Sequence, residues 1–336
     1  MKIPTQYNGL GLSQVNYNRA LHLTGSYCGN LTALLSAHQS IGVPQPLLLF
    51  GTDEQKEKFL PRFRDGAISA FALTEANAGS DPRAMTTTAT LTEDGSHYVI
   101  NGEKLWCTNG TKANVIVVMA VTPPKIVRGK ERKQITAFLV EMDTPGVEVV
   151  HRCRFMGLKA LYNGVIRFTD VKIPKENMIL EEGDGLRLAL KTLNTGRLSI
   201  PAGVTGSSKW CMKINRKWTN ERVQWGHPIG EHETIAGKQA KIASDTFAMD
   251  AVWKVASTMA DNKHFDIRLE AAIAKLFNTV AHYEILQQTL QIRGGRGFET
   301  ADSLRARGEE GIAIERLLRD SRVNLIFEGS SEIMHL

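Results

Sequence analysis

The hydrophobic pattern of the chain changes its period twice, and this change limits the fold more than any other feature. Up to about Gly66, apolar residues recur at helical spacing. From Ala67 to about Pro174 they form short alternating runs separated by turn residues, which is typical of strands. From about Gly183 onward the helical spacing returns. The pattern predicts an α+β multidomain protein with an N-terminal α-helical domain at residues 1–66, a β domain at 67–176 and a C-terminal helical domain at 183–336.

The helical regions predict two N-terminal helices and a C-terminal four-helix bundle. In the first region, Leu31 to His38 is predicted to be a buried helix, and Thr52 is predicted to begin another, which closes by Gly66. Within the bundle, Lys275 is counted with the apolar face through its aliphatic stem. The four helices predicted for the bundle are Leu186 to Glu221, Glu233 to Asn262, Ile267 to Ile292 and roughly Ile312 to Asn324.

The middle region predicts an antiparallel sheet domain or a small barrel. Asp94 and Gly95 join two alternating runs as a hairpin turn. The basic run from Lys125 to Lys133 lies between two apolar segments and is predicted to be a solvated hairpin loop. The predicted strands are Ile68 to Thr74, Thr86 to Thr92, His97 to Lys104, Val115 to Val121, Thr136 to Val140, Val147 to Arg152 and Val165 to Val171.

Composition excludes several classes of protein. Hydrophobic residues make up 42% and charged residues 23% of the 336 residues, which is typical of soluble globular proteins. The longest apolar run, Val115 to Val121, is far short of the roughly 20 residues that span a bilayer. The N-terminus resembles neither a signal nor a transit peptide. The four cysteines form no CxxC pair, so we expect no metal site and a reducing compartment.

The net charge of +6 favours polyanionic small ligands such as nucleotides or coenzyme A. The basic residues are scattered, and no recognition-helix pattern accompanies them. We therefore expect no nucleic-acid partner.

Glu328 stands between Phe327 and Gly329 at the end of the last helical pattern. Ile326 and Phe327 are predicted to exclude water, which would raise the pKa of the Glu328 carboxyl and suit it as a general base near neutrality. Gly329 lets the backbone turn and lets a ligand approach. An exposed helix-end glutamate before a glycine cap is the alternative.

The segment from Phe71 to Asp81 ends a predicted strand and then runs through small residues. Its open backbone, with the hydroxyl of Ser80, could face a phosphate or a planar ring. The alternative is a tight turn capped by Asp81.

Trp106 and Thr108 are two residues apart, which on a strand puts both side chains on one side. An aromatic plane beside a hydroxyl donor suits a flat heterocycle. A core tryptophan beside a turn is the alternative.

Two further segments carry basic and glycine residues. The run from Gln291 to Phe298 is rich in glycine, but it follows a predicted helix rather than a strand, which excludes a Rossmann dinucleotide site. A glycine-rich helix end is the alternative. Arg222 is either a helix-end charge or a clamp for a pyrophosphate.

Six ordered segments resemble the acyl-CoA dehydrogenase family, over nearly the full chain. Two further segments, Ala37 to Gly42 and Leu193 to Arg197, are most similar to its very-long-chain branch and related bacterial enzymes. The family fold has an α-helical domain, a β-barrel-like middle domain and a four-helix bundle. The six segments are Phe71 to Asp81, Trp106 to Gly110, Arg222 with Gln224 and Trp225, Gln291 to Phe298, Leu317 to Asp320, and Phe327 to Gly329.

The resemblance implies FAD as the cofactor and no metal. Thr74 would donate to the pyrimidine side of the flavin and Thr108 toward its N5. Arg222, Gln224, Gln291 and Gly295 would reach the cofactor of a neighbouring subunit. Ser80, Asn194 and Arg197 would contact the acyl-CoA. The residues that the resemblance assigns to FAD are Phe71, Leu73, Thr74, Gly79, Ser80, Trp106, Thr108, Arg222, Gln224, Trp225, Gln291, Gly294, Gly295, Ser330 and Glu332.

The implied activity is the dehydrogenation of medium- to long-chain acyl-CoA thioesters to trans-2-enoyl-CoA in fatty acid β-oxidation. Glu328 would take the α proton and flavin N5 the β hydride. Some branches place the base just before the arginine equivalent to Arg197, where Thr195 and Gly196 stand in this chain. The implied partners are an electron-transfer flavoprotein and further copies, as a homodimer or homotetramer. The implied location is the bacterial cytoplasm or the mitochondrial matrix.

The chain departs from the family pattern at both ends. It begins near the middle of the first helical domain, and it stops at Leu336, before the family's last helix. We therefore expect a truncated form of the family's chain. A catalytically inactive relative that acts in assembly or interaction, and an acyl-CoA oxidase, are the alternative functions.

Overall fold

A computed structural model of the chain describes residues 1–262 and 264–336 and, at Val127, the backbone alone. The chain forms two compact units, each made of three segments. The first unit comprises Met1–Leu12, Leu34–Arg154 and Ala160–Gly196, and the second comprises Ser13–Ala33, Phe155–Lys159 and Arg197–Leu336.

The α-helices follow the periodicity of the sequence closely in the long segments. In chain order they are α1 Gln14–Gly25, α2 Gly29–Ser36, α3 Pro44–Phe50, α4 Asp53–Phe59, α5 Gly185–Glu221, α6 Glu233–Asp261, α7 Arg268–Arg293, α8 Gly295–Phe298, α9 Ala301–Ala306, α10 Ile314–Ser321 and α11 Ser331–Met334. In the described part of the chain, none of them combines the length and the apolar character that a membrane crossing requires.

The strands lie in one large sheet and one short hairpin. In chain order they are β1 Ser69–Ala72, β2 Thr88–Leu91, β3 His97–Cys107, β4 Val115–Val127, β5 Lys130–Glu141, β6 Val147–Arg152, β7 Gly164–Pro174, β8 Met178–Ile179, β9 Val223–Gln224 and β10 His227–Pro228.

The large sheet has the order β6-β7-β3-β2-β4-β5-β8, with β1 beside β4. Most pairs are antiparallel, as predicted, but β1 and β2 both run parallel to β4. In the described residues the two end strands, β6 and β8, do not pair, so no closed barrel is present.

Strand β4 is apolar from Val115 to Ala120 because both of its faces are buried there. Val115, Val117 and Met119 pack into one core cluster of the first unit. Ile116 and Val118, which alternate with them, pack into a second cluster on the other face. A continuous apolar run is what such a strand requires.

The prediction of a loop from Lys125 to Lys133 is wrong. Strands β4 and β5 pair through most of this run, and only Arg128 and Gly129 form the turn, both with positive φ. Two residues of this kind suit the tight turn of a hairpin. The strand ends in this segment were not predicted because both of their faces are solvated and carry basic side chains.

The predicted start of α4 is confirmed in detail. Thr52 Oγ1 accepts a hydrogen bond from Gln55 N (3.2 Å), and Gln55 Oε1 accepts one from Thr52 N (3.1 Å). This reciprocal capping box satisfies two backbone N–H groups that would otherwise lack partners.

The second unit contains three long helices, α6, α7 and the part of α5 after Gly196, close to their predicted bounds. The fourth predicted helix is shorter than expected. It consists of α10 and a 3-10 turn from Arg322 to Leu325. Asn278 joins the long helices through hydrogen bonds from its Nδ2 to Met249 O (3.0 Å) and Thr205 Oγ1 (3.1 Å).

Candidate active site

The candidate site residues are divided between the two units. Those in the first unit are Phe71, Leu73, Thr74, Gly79, Ser80, Trp106, Thr108 and Asn194. Those in the second unit are Arg197, Arg222, Gln224, Trp225, Gln291, Gly294, Gly295, Glu328, Ser330 and Glu332.

A buried ion pair fixes the loop that follows β1. Lys104 is fully buried, and its Nζ donates to Glu75 Oε1 (2.7 Å) and to Leu73 O (3.3 Å). Glu75 also accepts hydrogen bonds from the backbone N–H groups of Thr86 (2.6 Å) and Thr87 (3.1 Å). Burial alone would raise the pKa of Glu75, but these partners lower that pKa to about 2.

This ion pair brings two of the predicted cofactor segments together. Leu105 N donates to Thr74 O (2.9 Å), so Leu73 and Thr74 lie beside the end of strand β3 that leads to Trp106. Sequence reasoning missed the role of Lys104. Its signal was a lysine at an inward position of an alternating strand.

Trp106 does not sit in regular strand conformation. Its φ is +56°, and its side chain is 56% exposed, so the interpretation as a core tryptophan is wrong. Thr108 lies beyond the end of β3, and its Oγ1 donates to Asn163 Oδ1 (3.2 Å). The prediction that Trp106 and Thr108 point to one side of a strand is therefore wrong. Trp106 nevertheless presents an open aromatic surface.

The small-residue loop after Glu75 has features of both predicted forms, a turn capped by Asp81 and an open backbone. Asp81 accepts a hydrogen bond from Arg83 N (3.1 Å), as in a capped turn. Gly79 and Ser80 are exposed, and no atom lies within 4 Å of the place where a side chain of Gly79 would begin. Within the described part of the chain, the N–H groups of these two residues donate no backbone hydrogen bond. Such open N–H groups can bind phosphate oxygens.

In the second unit, Trp218 joins the two basic segments. Its Nε1 donates to Ile292 O (3.1 Å), next to Gln291. The guanidinium of Arg222 lies 5.9 Å and that of Arg293 5.1 Å from the Trp218 ring. The structure thus brings together the segments of Arg222 and Gln291, which are far apart in the sequence.

The predicted cofactor residues of these two segments are all exposed. Trp225 is 88% exposed and has a positive φ in the hairpin between β9 and β10. Arg222 follows the last residue of α5, as predicted for a helix-end arginine. The other exposed members are Gln224, Gln291, Gly294 and Gly295.

Glu328 lies in a left-handed turn after the 3-10 helix. Glu328 has φ +56° and Gly329 has φ +94°. The positive φ at position 329 favours glycine, whereas the contact that a Cβ there would make with Cε of Met334 could be relieved by that flexible side chain. Two cations hold this turn by its backbone. Arg197 Nε donates to Glu328 O (3.0 Å), and Lys275 Nζ donates to Gly329 O (2.7 Å).

One carboxylate oxygen of Glu328 has no hydrogen-bond partner among the described residues. This oxygen, Oε2, is buried, although the residue as a whole is only partly buried. Burial raises the pKa of Glu328 to about 7, against the opposing effect of Arg197 and Lys275. The interpretation as an exposed helix-end carboxylate is therefore wrong.

The predicted apolar shield of Glu328 is only half present. Phe327 packs against a core cluster of the second unit. Ile326 is 55% exposed and does not exclude water.

Of the remaining predicted residues, Ser330 and Glu332 lie at the start of α11, and Asn194 lies within α5. Ser330 caps α11 and accepts a hydrogen bond from Ile333 N (3.4 Å), and Glu332 is exposed in its first turn.

In residues 1–262 and 264–336 no group of histidine, cysteine and carboxylate side chains could hold a metal ion.

Comparison with protein families places this geometry in a known context. Three family models match the chain: the acyl-CoA dehydrogenase N-terminal domain at residues 1–67, the middle domain at 70–171 and the C-terminal domain at 183–336.

Individual relatives cover the whole chain. A probable acyl-CoA dehydrogenase of Mycobacterium tuberculosis, FadE10, is 54% identical over 336 residues, which are 100% of this chain and 51% of that protein. The mitochondrial very long-chain specific acyl-CoA dehydrogenase of Rattus norvegicus is 36% identical over 100% of this chain and 50% of its own. This chain thus spans about half the length of the curated relatives it matches.

A solved structure of an acyl-CoA dehydrogenase complexed with FAD from Bacillus anthracis shares the fold. Its TM-score is 0.87 at 32% identity, covering 99% of this chain and 57% of that one.

Proposed function

The chain belongs to the acyl-CoA dehydrogenase family, and on this basis we propose that it catalyses the FAD-dependent α,β-dehydrogenation of acyl-CoA thioesters to trans-2-enoyl-CoA. Glu328 is the catalytic base. The observation that carries the proposal is the buried, unpartnered carboxylate of Glu328, with its pKa raised to about 7.

A carboxylate of this kind suits the removal of a weakly acidic α proton. A general base works best when its pKa lies near the working pH, because it is then ionised yet still basic. The thioester lowers the barrier further when donors polarise its carbonyl oxygen. Since no donor within residues 1–262 and 264–336 reaches Oε2 of Glu328, the lone pairs of this oxygen are available to the substrate.

The residues of the first unit fit a flavin. Leu73, Thr74 and Thr108 would hold the isoalloxazine ring, and the exposed plane of Trp106 would flank it. The open N–H groups of Gly79 and Ser80 would hold the pyrophosphate. FAD, when bound, supplies the acceptor for the hydride that leaves the β carbon.

The second unit offers residues for assembly and for substrate. The exposed group Arg222, Gln224, Trp225, Gln291 and Gly295 would reach the FAD of a neighbouring copy in a homodimer or homotetramer. Ser330 and Glu332 would lie near adenosine. Asn194 and Arg197, with Ser80, would contact an acyl-CoA of medium to long chain. An electron-transfer flavoprotein would reoxidise the enzyme.

The test is the bleaching of bound flavin. The purified chain is loaded with FAD and mixed without oxygen with acyl-CoAs of increasing length, and the flavin absorbance is followed. We expect bleaching that depends on chain length. Glu328→Gln should bind FAD but bleach about 10²- to 10⁴-fold more slowly, since the base is lost.

Three outcomes would contradict the proposal. If Glu328→Gln bleached the flavin at the wild-type rate, Glu328 would not be the catalytic base. Failure of the wild type to bind FAD would favour the inactive relative that acts in assembly, and hydrogen peroxide formed on admitting air would identify an oxidase.

A further inference from the structure

Lys275 is a buried cation with an unusual partner. Its side chain has no exposed surface, in the middle of helix α7. Among the described residues it forms no ion pair, and its ammonium donates to a backbone oxygen, Gly329 O, at 2.7 Å. A buried lysine usually has a carboxylate partner because desolvating a lone charge is costly.

We propose that Lys275 is a positioning residue for Glu328, holding the backbone of its turn from one side while Arg197 holds it from the other and the carboxylate stays free. This inference rests on the proposed role of Glu328 as the base. It adds a residue that acts on Glu328 through the backbone of the turn.

The turn needs holding because its backbone conformation is unfavourable. A glutamate with φ +56° is disfavoured by contacts of its Cβ, and it persists only where the surroundings impose it. Arg197 from α5 binds the carbonyl of Glu328, and Lys275 from α7 binds that of Gly329. Two successive carbonyls are thus fixed by two different helices.

The same arrangement places positive charge near the Glu328 carboxylate without lowering its pKa as far as a direct ion pair would. A lysine bonded directly to a carboxylate would lower its pKa far below neutrality, as Lys104 does for Glu75. With its hydrogen bond directed to the backbone, Lys275 acts on Glu328 through its charge and lowers the Glu328 pKa without overcoming the effect of burial. The charged groups around Lys275 are Glu328, Arg197 and Glu332, and burial lowers the pKa of Lys275 itself to about 8.

The sign of the effect follows from these charges. The ammonium of Lys275 favours the ionised form of Glu328. Its removal should therefore raise the Glu328 pKa, so that a higher pH is needed to ionise the base.

The experiment compares pH profiles of kcat/KM for the FAD-loaded full chain with an acyl-CoA that bleaches the wild type. In Lys275→Met we expect the rising limb to move up by roughly one pH unit, with kcat lowered and KM little changed. Below the limb, kcat/KM should fall about tenfold for that shift alone. Lys275→Arg keeps the charge and should leave the limb in place.

Three further variants make the outcome decisive. Lys254→Met removes an exposed lysine from α6 and should leave the pH profile of kcat/KM unchanged. Lys275→Gln keeps a neutral donor and should show the same shift, even if Lys275→Met fails to fold. An unmoved limb in the neutral Lys275 variants would overturn the proposal, even if they melt earlier, because a purely structural lysine lowers stability without moving the limb. Full activity in Glu328→Gln would overturn the proposed function as well.

Discussion

Glu75 and Glu328 are both carboxylates in buried surroundings with a lysine nearby, yet their chemistry is opposite. Glu75 receives its lysine directly, together with backbone donors, and its pKa falls to about 2. Glu328 receives no donor on Oε2 from the part of the chain that the structure describes, and its pKa rises to about 7. Its two neighbouring cations bind the backbone of its turn instead.

The difference shows that the direction of the donors matters more than the presence of a cation. Hydrogen bonds to a carboxylate stabilise its ionised form, whereas desolvation without them favours the protonated form. In the first unit the lysine makes a permanent anion that ties two loops together. In the second unit it leaves a carboxylate that can take up and release a proton near neutrality.

The largest effect on stability should come from breaking the Glu75 pair. Lys104→Met leaves a buried carboxylate without its cation and should cost about 3–5 kcal/mol of unfolding free energy. The pKa of Glu75 would then rise, and acid unfolding would begin at a higher pH. Urea unfolding at pH 7 and at decreasing pH measures both quantities.

The controls use the same sheet. Lys172→Met changes an exposed lysine on β7 and should stay within about 0.5 kcal/mol of the wild type. The double variant Lys104→Met with Glu75→Gln should recover part of the loss. In the wild type, the stability that Glu75 provides is present above its ordinary value near 4.5 and disappears as the pH falls toward 2. Equal stability of Lys104→Met and Lys172→Met would show that the pair does not hold the loop.

A smaller effect is expected beside Glu328. Phe327 packs on a core cluster, so Phe327→Ala should cost about 2–3 kcal/mol, less than a fully buried phenylalanine. The opening should admit water and lower the Glu328 pKa, moving the rising limb of the pH–rate profile to lower pH. A limb that stays in place would mean that Phe327 does not desolvate the base.

The smallest effect should come from the neighbouring residue. Ile326 is 55% exposed, so Ile326→Ser should change stability by no more than about 0.5 kcal/mol and leave the limb in place. Thermal melting and the same pH profile provide the measurement. A clear shift would restore Ile326 as part of the apolar shield.

The fold was largely predictable because its long elements carry strong periodicity. Helices α5, α6 and α7 were predicted within a few residues, since sustained apolar spacing is the clearest signal in a sequence. The ends of β4 and β5 were missed because strands solvated on both faces lose their alternation.

The candidate site was predictable only in part. The position of Glu328 and the direction of its pKa followed from its apolar neighbours and glycine. The positive φ of Trp106 could not be inferred, because tryptophan gives no signal for that conformation. The role of Lys275 was hidden for a different reason. A lysine in an apolar pattern is normally explained by its aliphatic stem, and its partner Gly329 lies 54 residues away.

Glu328 is expected to be a base whose pKa lies near 7, whereas Glu75 stays ionised. Carboxyl-labelled glutamate NMR tests this difference directly, with the two resonances assigned by their loss in Glu328→Gln and Glu75→Gln. We predict that the Glu328 signal titrates near pH 7 and that the Glu75 signal shows no midpoint before the pH falls toward 2. A Glu328 midpoint at or below the ordinary value of about 4.5 would contradict the account.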